Sequence, residues 1–275
     1  MNTILAIETF ERASINSMVI VSLSCVVIPF IILALIKIKL GGKISSFFIG
    51  MGFYIIFAMF LSVIINMIFH SIPIFKILFD KANHPVFYGI YGAIVAAIVE
   101  ETGKFFCMKV LNKYNRTGKY NALLGVYGHA AFETVAYGSS LFMGNVILAV
   151  MVNSIGLDEY LKKLGHSGDA LIKERELVIK MMNIPISEHF ISGTFCLLTL
   201  ILQTALGILV YISFKESAKK YYLFMAMGLH FLGYLPNYLT NLKVITNSIL
   251  SIGIVAALCL FTAYFARMEF IKQKE

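Results

Sequence analysis

Seven long apolar stretches follow one another along the chain, separated by short polar segments. A helix that crosses a membrane needs about 20 mainly apolar residues, since each residue adds only about 1.5 Å to its length. The fourth stretch is long enough to be tilted, broken or split, and 138–140 and Gly144 are candidate break points. The seven predicted spans are residues 15–37, 46–69, 86–111, 120–152, 187–213, 221–241 and 244–267.

Composition agrees with a membrane protein. The chain is 59% hydrophobic and 14% charged, with a mean hydropathy of +0.83, whereas a soluble domain carries about 25% charged residues. We therefore predict an all-α integral membrane protein, with one polytopic domain over residues 1–275 and about seven transmembrane helices. The net charge of +8 does not indicate nucleic-acid binding, because no basic cluster is interleaved with aromatic residues.

The charges of the connecting segments predict an orientation. Basic residues follow the odd-numbered spans, while the segments after the even-numbered spans carry fewer or balanced charges. By the positive-inside rule, the N-terminus lies outside and the C-terminus lies in the cytoplasm. High usage of Ile, Lys and Asn is typical of an AT-rich bacterial genome, so a bacterial cytoplasmic membrane is the expected location. The charges used are Lys37, Lys39, Lys43, Lys109, Lys113, Arg116, Lys119, Lys215, Lys219, Lys220, Arg267, Lys272 and Lys274 inside, and Glu8, Glu11, Arg12, Lys76, Asp80, Lys81 and Lys243 outside.

One sizeable polar segment, residues 154–185, interrupts the pattern. It falls on the extracytoplasmic side of the predicted topology. Its spaced leucines and isoleucines favour one or two short amphipathic helices at the outer surface, and a solvated connector is the alternative.

Ionisable residues inside three predicted spans are the main functional clue. A charge at bilayer depth costs a few kcal/mol or more, so such residues are rare and usually functional. The predicted topology puts the three clusters in the inner half or the middle of the membrane, which allows one common polar site. Gln203, in the middle of the fifth span, could face it, whereas Glu188 and His189 start that span on the outer side. The clusters are Glu100, Glu101 and Lys104; His129 and Glu133; and His230 with Tyr234 and Asn237.

The first cluster contains a possible acid–base pair. Helical residues three or four apart share a face, so Lys104 can pair with Glu100 or with Glu101. The paired carboxylate is then structural, and the other is a candidate general base. The alternative is a buried ion-pair cluster that only locks helices together.

The other two clusters offer metal ligands. His129 and Glu133 are four residues apart, and an imidazole beside a carboxylate suits a divalent metal, with zinc the best match. A hydrogen-bonded pair inside the bundle is the alternative. His230 is either a hydrogen-bonded core histidine or a further ligand, and Tyr234 or Asn237 on the same face could bond its ring or a bound water.

In this order, the motifs resemble those of the YhfC family of intramembrane metalloproteases. That family is related to the PrsW proteases and to the CAAX prenyl endopeptidase/bacteriocin-processing (CPBP, Abi) group. Glu100-Glu101-x-x-Lys104 matches the EExxK motif, Gly128-His129-x-x-x-Glu133 is similar to GHxxxE, and His230 matches the histidine of the last motif. The resemblance covers about residues 86–240.

The resemblance implies an endopeptidase that hydrolyses a peptide bond in or near the membrane, within a peptide or membrane-protein substrate. His129, Glu133 and His230 would hold the metal. Glu100 would be the general base, with Glu101 and Lys104 in support, and Asn237 or Tyr234 would stabilise the oxyanion.

Two departures from the family pattern keep alternatives open. Tyr234 stands where the pattern has Asp or Asn, and the fifth span offers Phe195 and Gln203 in place of a Glu and a His. The alternatives are water activated by glutamate without a metal, a non-catalytic immunity or peptide-binding protein, and a proton-coupled transporter. The transporter ranks last, because the chain shows no internal repeat.

Overall fold

The computed structural model describes residues 9–116 and 118–273. Glu8 and Lys274, which entered the charge argument, lie outside the described residues. The described chain is helical throughout, without strands. Its helices are α1 (Arg12–Leu40), α2 (Ile44–Tyr54), α3 (Ser62–Ser71), α4 (Pro73–Leu78), α5 (Pro85–Lys113), α6 (Lys119–Ile155), α7 (Leu157–Lys163), α8 (Asp169–Met182), α9 (Ile186–Lys215), α10 (Tyr221–Asn241) and α11 (Ser248–Ile271).

Local sequence explains several helix ends. Pro85 opens α5, where its fixed φ fits the first turn and its missing N–H costs no hydrogen bond. The Asn247 side chain caps α11 by accepting from the Leu250 N–H at 3.0 Å. Gly41 follows α1 with φ of 79°, a left-handed conformation that glycine adopts without strain.

Each predicted span coincides with a helix, to within a few residues at either end. The fourth stretch is neither broken nor split, since α6 runs without interruption from Lys119 to Ile155. The polar segment 154–185 forms two helices, α7 and α8. Two features were not predicted: α4, and a π-helical turn (Ile55–Leu61) that joins α2 to α3.

Five helical stretches in the described part of the chain are long and apolar enough to cross a membrane. The helices α5 and α10, which carry two of the three polar clusters, are not among them. An all-α membrane protein is therefore confirmed, whereas the count of seven spans and the orientation stay predictions. The five are Arg12–Leu40, Ile44–Ser71, Lys119–Ile155, Ile186–Lys215 and Ser248–Ile271.

Backbone contacts divide the described residues into two compact units. The first contains the described residues up to Val27 together with Val135–Thr194, and in it Ser17 hydrogen-bonds His189 Nδ1 at 2.7 Å. The second contains Ile28–Thr134 and the chain from Phe195 onward, and it carries every predicted site residue. Within this second unit α10 packs on α5 and α11, and α2 packs on α5. The single polytopic domain stays a prediction.

Glycines bring α2 and α6 together beside the site. A Cβ added to Gly50 would overlap the carbonyl oxygen of Gly125, and one added to Gly128 would overlap that of Phe47. Small residues allow helix backbones to approach this closely in membranes. The crossing fixes the part of α6 that leads into His129.

We expect Gly50→Ala to destabilise the protein by about 1–3 kcal/mol, because its methyl group has to push α2 away from α6. Gly52→Ala is the matched control, since a Cβ there meets nothing within 4 Å and Ala favours a helix over Gly by about 1 kcal/mol. Thermal unfolding of the two detergent-purified variants measures the difference. Equal melting temperatures would show that the close crossing does not exist.

A polar network ties the end of α11 to the segment after α9. Lys219 Nζ lies 2.8 Å from Glu269 Oε2 and 3.2 Å from Glu216 Oε2. Lys272 Nζ lies 2.5 Å from the other oxygen of Glu269, and the Gln273 amide donates to Glu216. The charges of this cluster therefore compensate one another.

This network predicts a small dependence of stability on pH. The Gln273 hydrogen bond, and after it Lys219, lower the pKa of Glu216 below its usual value. A carboxyl with a lowered folded pKa stabilises the fold above its unfolded pKa, and that stability is lost as the pH falls through the folded pKa. Wild type should therefore melt at a higher temperature than Glu216→Gln at pH 7. Because the pair is partly exposed to solvent, the difference in unfolding free energy should be less than about 1 kcal/mol. The two should converge in acid, and a gap that persists there would contradict the prediction.

Candidate metal and catalytic site

Three buried ligand-type side chains meet between α5 and α6. Glu100 lies on α5, and His129 and Glu133 lie one turn apart on α6 and so project to the same side. One donor atom from each lies within 4.8 Å of the other two. Their exposed fractions are 7%, 1% and 6%. We call these three residues the donor group.

Unpaired atoms in the donor group provide a test of whether it suits a metal. Both ring nitrogens of His129 and Oε2 of Glu133 are buried without a hydrogen-bond partner among the described residues. The approach of His129 Nε2 to Glu100 Oε2, at 3.7 Å, is too long for a hydrogen bond. Buried polar atoms are normally paired, and one imidazole with two carboxylates is a donor set that zinc accepts. The residues therefore fit a divalent cation.

A second buried group lies beside the first. Oε1 of Glu101 accepts from Lys104 Nζ at 2.7 Å and contacts His230 Nδ1 at 2.7 Å, and all three side chains are fully buried. A carboxylate held by a lysine can only accept, so Nδ1 of His230 carries a hydrogen and donates it to Glu101. A carboxylate on one ring nitrogen is the usual support for a histidine that binds metal through the other.

Gln203 and Tyr234 connect the two groups. The Gln203 amide oxygen accepts from Lys104, and its nitrogen donates to Glu100 Oε2 at 2.8 Å and to the Tyr234 hydroxyl at 2.9 Å. Tyr234 in turn donates to Glu133 Oε1. The same amide nitrogen lies 3.4 Å from His230 Nε2. The polar side chains of α5, α6, α9 and α10 thus form one network.

The structure confirms that the three sequence clusters meet, and that Gln203 faces them. It also selects Glu101 over Glu100 as the partner of Lys104. Glu100, the predicted base, completes the donor group, whereas the predicted ligand His230 lies outside it. Asn237 is half-buried and, in the part of the chain described, makes no hydrogen bond to the network. The individual roles of these residues stay predictions.

Sequence reasoning missed two contacts at the site. The Tyr54 ring meets His129 edge-on, with centroids 5.1 Å apart, and so closes one side of the donor group. Tyr54 is the one tyrosine among the phenylalanines of its predicted span, but its position in the sequence does not show that it meets His129. The Gln203–Tyr234 hydrogen bond was also missed, although both positions carry polar atoms that a buried helix must pair.

A family model and a known protein each match most of this chain. The model of the YhfC intramembrane metalloprotease family matches residues 24–255. The "Uncharacterized membrane protein YhfC" of Bacillus subtilis (strain 168) is 25% identical over 238 residues, which are 86% of this chain and 89% of that protein. No solved structure matches significantly. The relation to the PrsW and CPBP groups stays a prediction.

Proposed function

Because this chain belongs to the YhfC intramembrane metalloprotease family, we propose that it is a metal-dependent endopeptidase. It hydrolyses a peptide bond in, or next to, the bacterial cytoplasmic membrane, in a peptide or membrane-protein substrate. The observation that carries the proposal is the donor group: three buried ligand-type side chains lie together, with unpaired atoms, inside a helical membrane protein.

His129, Glu133 and His230 are the residues that would hold the metal. Among the described residues, His129 and Glu133 have donor atoms without a hydrogen-bond partner. His230 contacts Glu101 through Nδ1 at 2.7 Å, and its Nε2 has a longer contact, 3.4 Å from the Gln203 amide nitrogen. A bound divalent ion, with zinc the best match, would supply an activated water and polarise the scissile carbonyl.

Glu100 is the proposed general base. Its carboxylate belongs to the donor group and is not paired with Lys104. It would accept the proton of the attacking water and pass it to the leaving amine. Glu101, fixed by Lys104, would hold His230 in place.

Two side chains on α10 are candidates for stabilising the oxyanion. The Tyr234 hydroxyl is already within the network, where it donates to Glu133. Asn237 is half-buried on the same helix and would act by donating its amide hydrogen to the reacting carbonyl oxygen.

Metal content separates the ligand and base roles. We expect elemental analysis of detergent-purified wild type to find about one divalent ion per chain. His129→Ala and His230→Ala should lose it, and Glu100→Gln should keep it. If Glu100→Gln loses the metal and His230→Ala keeps it, Glu100 would be the metal ligand and His230 the general base. No metal in wild type would make the metal-dependent mechanism wrong.

A non-catalytic role, as an immunity or peptide-binding protein, is the second candidate. One observation favours it: the Tyr234 hydroxyl already occupies an oxygen of Glu133, and the Gln203 amide occupies one of Glu100. Metal bound by wild type and lost in His129→Ala would count against this candidate, since a purely structural network needs no ion.

A further inference from the structure

The orientation of the Gln203 amide is dictated by its neighbour Lys104. An ammonium group has three donors and no acceptor. The amide atom that contacts Lys104 Nζ must therefore be the oxygen, and the NH₂ group must point away from the lysine, toward Glu100 and Tyr234. If the amide were flipped, its NH₂ group would face the Lys104 ammonium and its oxygen would face the Glu100 carboxylate. Neither pair could form a hydrogen bond.

The direction of the Tyr234 hydroxyl follows from that of the Gln203 amide. The two shortest contacts of the Gln203 amide nitrogen are to Glu100 Oε2, at 2.8 Å, and to the Tyr234 oxygen, at 2.9 Å, and both are shorter than its 3.4 Å approach to His230 Nε2. Because Tyr234 accepts from Gln203, its own hydrogen is directed to Glu133 Oε1. The other oxygen of Glu133, Oε2, is buried and has no hydrogen-bond partner in the described part of the chain.

We propose that Gln203 and Tyr234 act together as a positioning relay, which carries the direction of hydrogen bonding from Lys104 to the carboxylates of Glu100 and Glu133. This rests on the proposed function, since those carboxylates are its base and one of its ligands. The relay holds one oxygen of each carboxylate and leaves the other for chemistry. Its direction is fixed at one end, because the Lys104 ammonium can only donate and so must face the Gln203 oxygen.

A relay predicts coupling between its members. With Gln203 removed, the Tyr234 hydroxyl is no longer directed, and removing it as well should cost little more. If two residues act as a unit, the double variant loses about as much free energy as one single variant. If they act independently, the losses of the two single variants add.

Zinc titration of the purified, metal-stripped full chain tests the relay. The variants are Tyr234→Phe, Gln203→Met and the double variant. Tyr127→Phe is the matched control, because Tyr127 is also buried and its hydroxyl also donates, to the Pro29 carbonyl at 2.6 Å, outside the network. Loss of groups that orient ligands typically weakens metal binding 10–100-fold. We expect about a tenfold loss for Tyr234→Phe, a similar loss for the double variant, and none for Tyr127→Phe.

Wild-type zinc affinity in Tyr234→Phe, or losses that multiply in the double variant, would overturn the relay. If Gln203→Met does not fold, the comparison of Tyr234→Phe with Tyr127→Phe still decides. If wild type binds no zinc, the proposed function fails, but thermal unfolding of the same metal-free variants still tests the relay. The drop in melting temperature caused by Tyr234→Phe should then be smaller in the Gln203→Met background, and equal drops would overturn it.

Discussion

Replacing Glu100 with Gln is expected to abolish cleavage while leaving the protein folded and able to bind metal. The amide has the size of the carboxylate but cannot take up the proton of an attacking water. A positioned general base contributes about 10²–10⁴-fold to a rate, so residual turnover should fall below detection in cells. The fold should survive, because Glu100 is not the partner of Lys104.

The substrate need not be known to measure this. Mapping the N-termini of membrane proteins in cells that produce wild type or Glu100→Gln would reveal cleavage sites present only with wild type. Glu176→Gln, an exposed glutamate on α8, serves as the matched control and should give the wild-type pattern. The same new N-termini with Glu100→Gln would rule out Glu100 as the base.

The second large effect concerns stability. Lys104→Met should destabilise the protein by about 3–5 kcal/mol, because it leaves the fully buried carboxylate of Glu101 without its cation. It also removes the donor to the Gln203 amide. Thermal unfolding in detergent would show the loss, and low yield of folded protein would accompany it.

Two further variants make that result specific. Lys109→Met, on the same helix but exposed, should change the melting temperature little, since it removes only contacts with the Phe105 and Phe106 rings. Adding Glu101→Gln to Lys104→Met removes the uncompensated charge and should restore part of the lost stability. An equally large loss in Lys109→Met would point to a general requirement for basic residues on α5.

The helices could be predicted because a membrane span must be long, apolar and internally hydrogen-bonded. Sequence alone therefore located every long helix, and the cost of burying charge singled out the residues of the site. The π-helical turn at Ile55–Leu61 could not be predicted, because such turns are rare and the apolar pattern of the span is compatible with an ordinary α-helix.

The pairing inside the site was beyond sequence reasoning for a similar reason. The spacings of Glu100 and Glu101 to Lys104 are both compatible with a shared face, and the choice is made by His230 on α10 and Gln203 on α9. The position of His230 outside the donor group likewise depends on how α10 lies against α5. The chain contains 20 glycines, and only the fold shows that Gly50 and Gly128 mark a helix crossing.

The side chains of the site are almost completely buried, from 0% exposure at Glu101, Lys104 and His230 to 7% at Glu100. A hydrolase with such a site needs both water and an unwound stretch of substrate to enter before any bond can break. Its turnover would then be governed by how often the surrounding helices part, as in enzymes whose slow step is opening rather than chemistry. If opening is the slow step, membrane helices that stay folded would not reach the site and would not be cleaved. Selectivity would then depend on a substrate's ability to unfold locally as much as on its sequence.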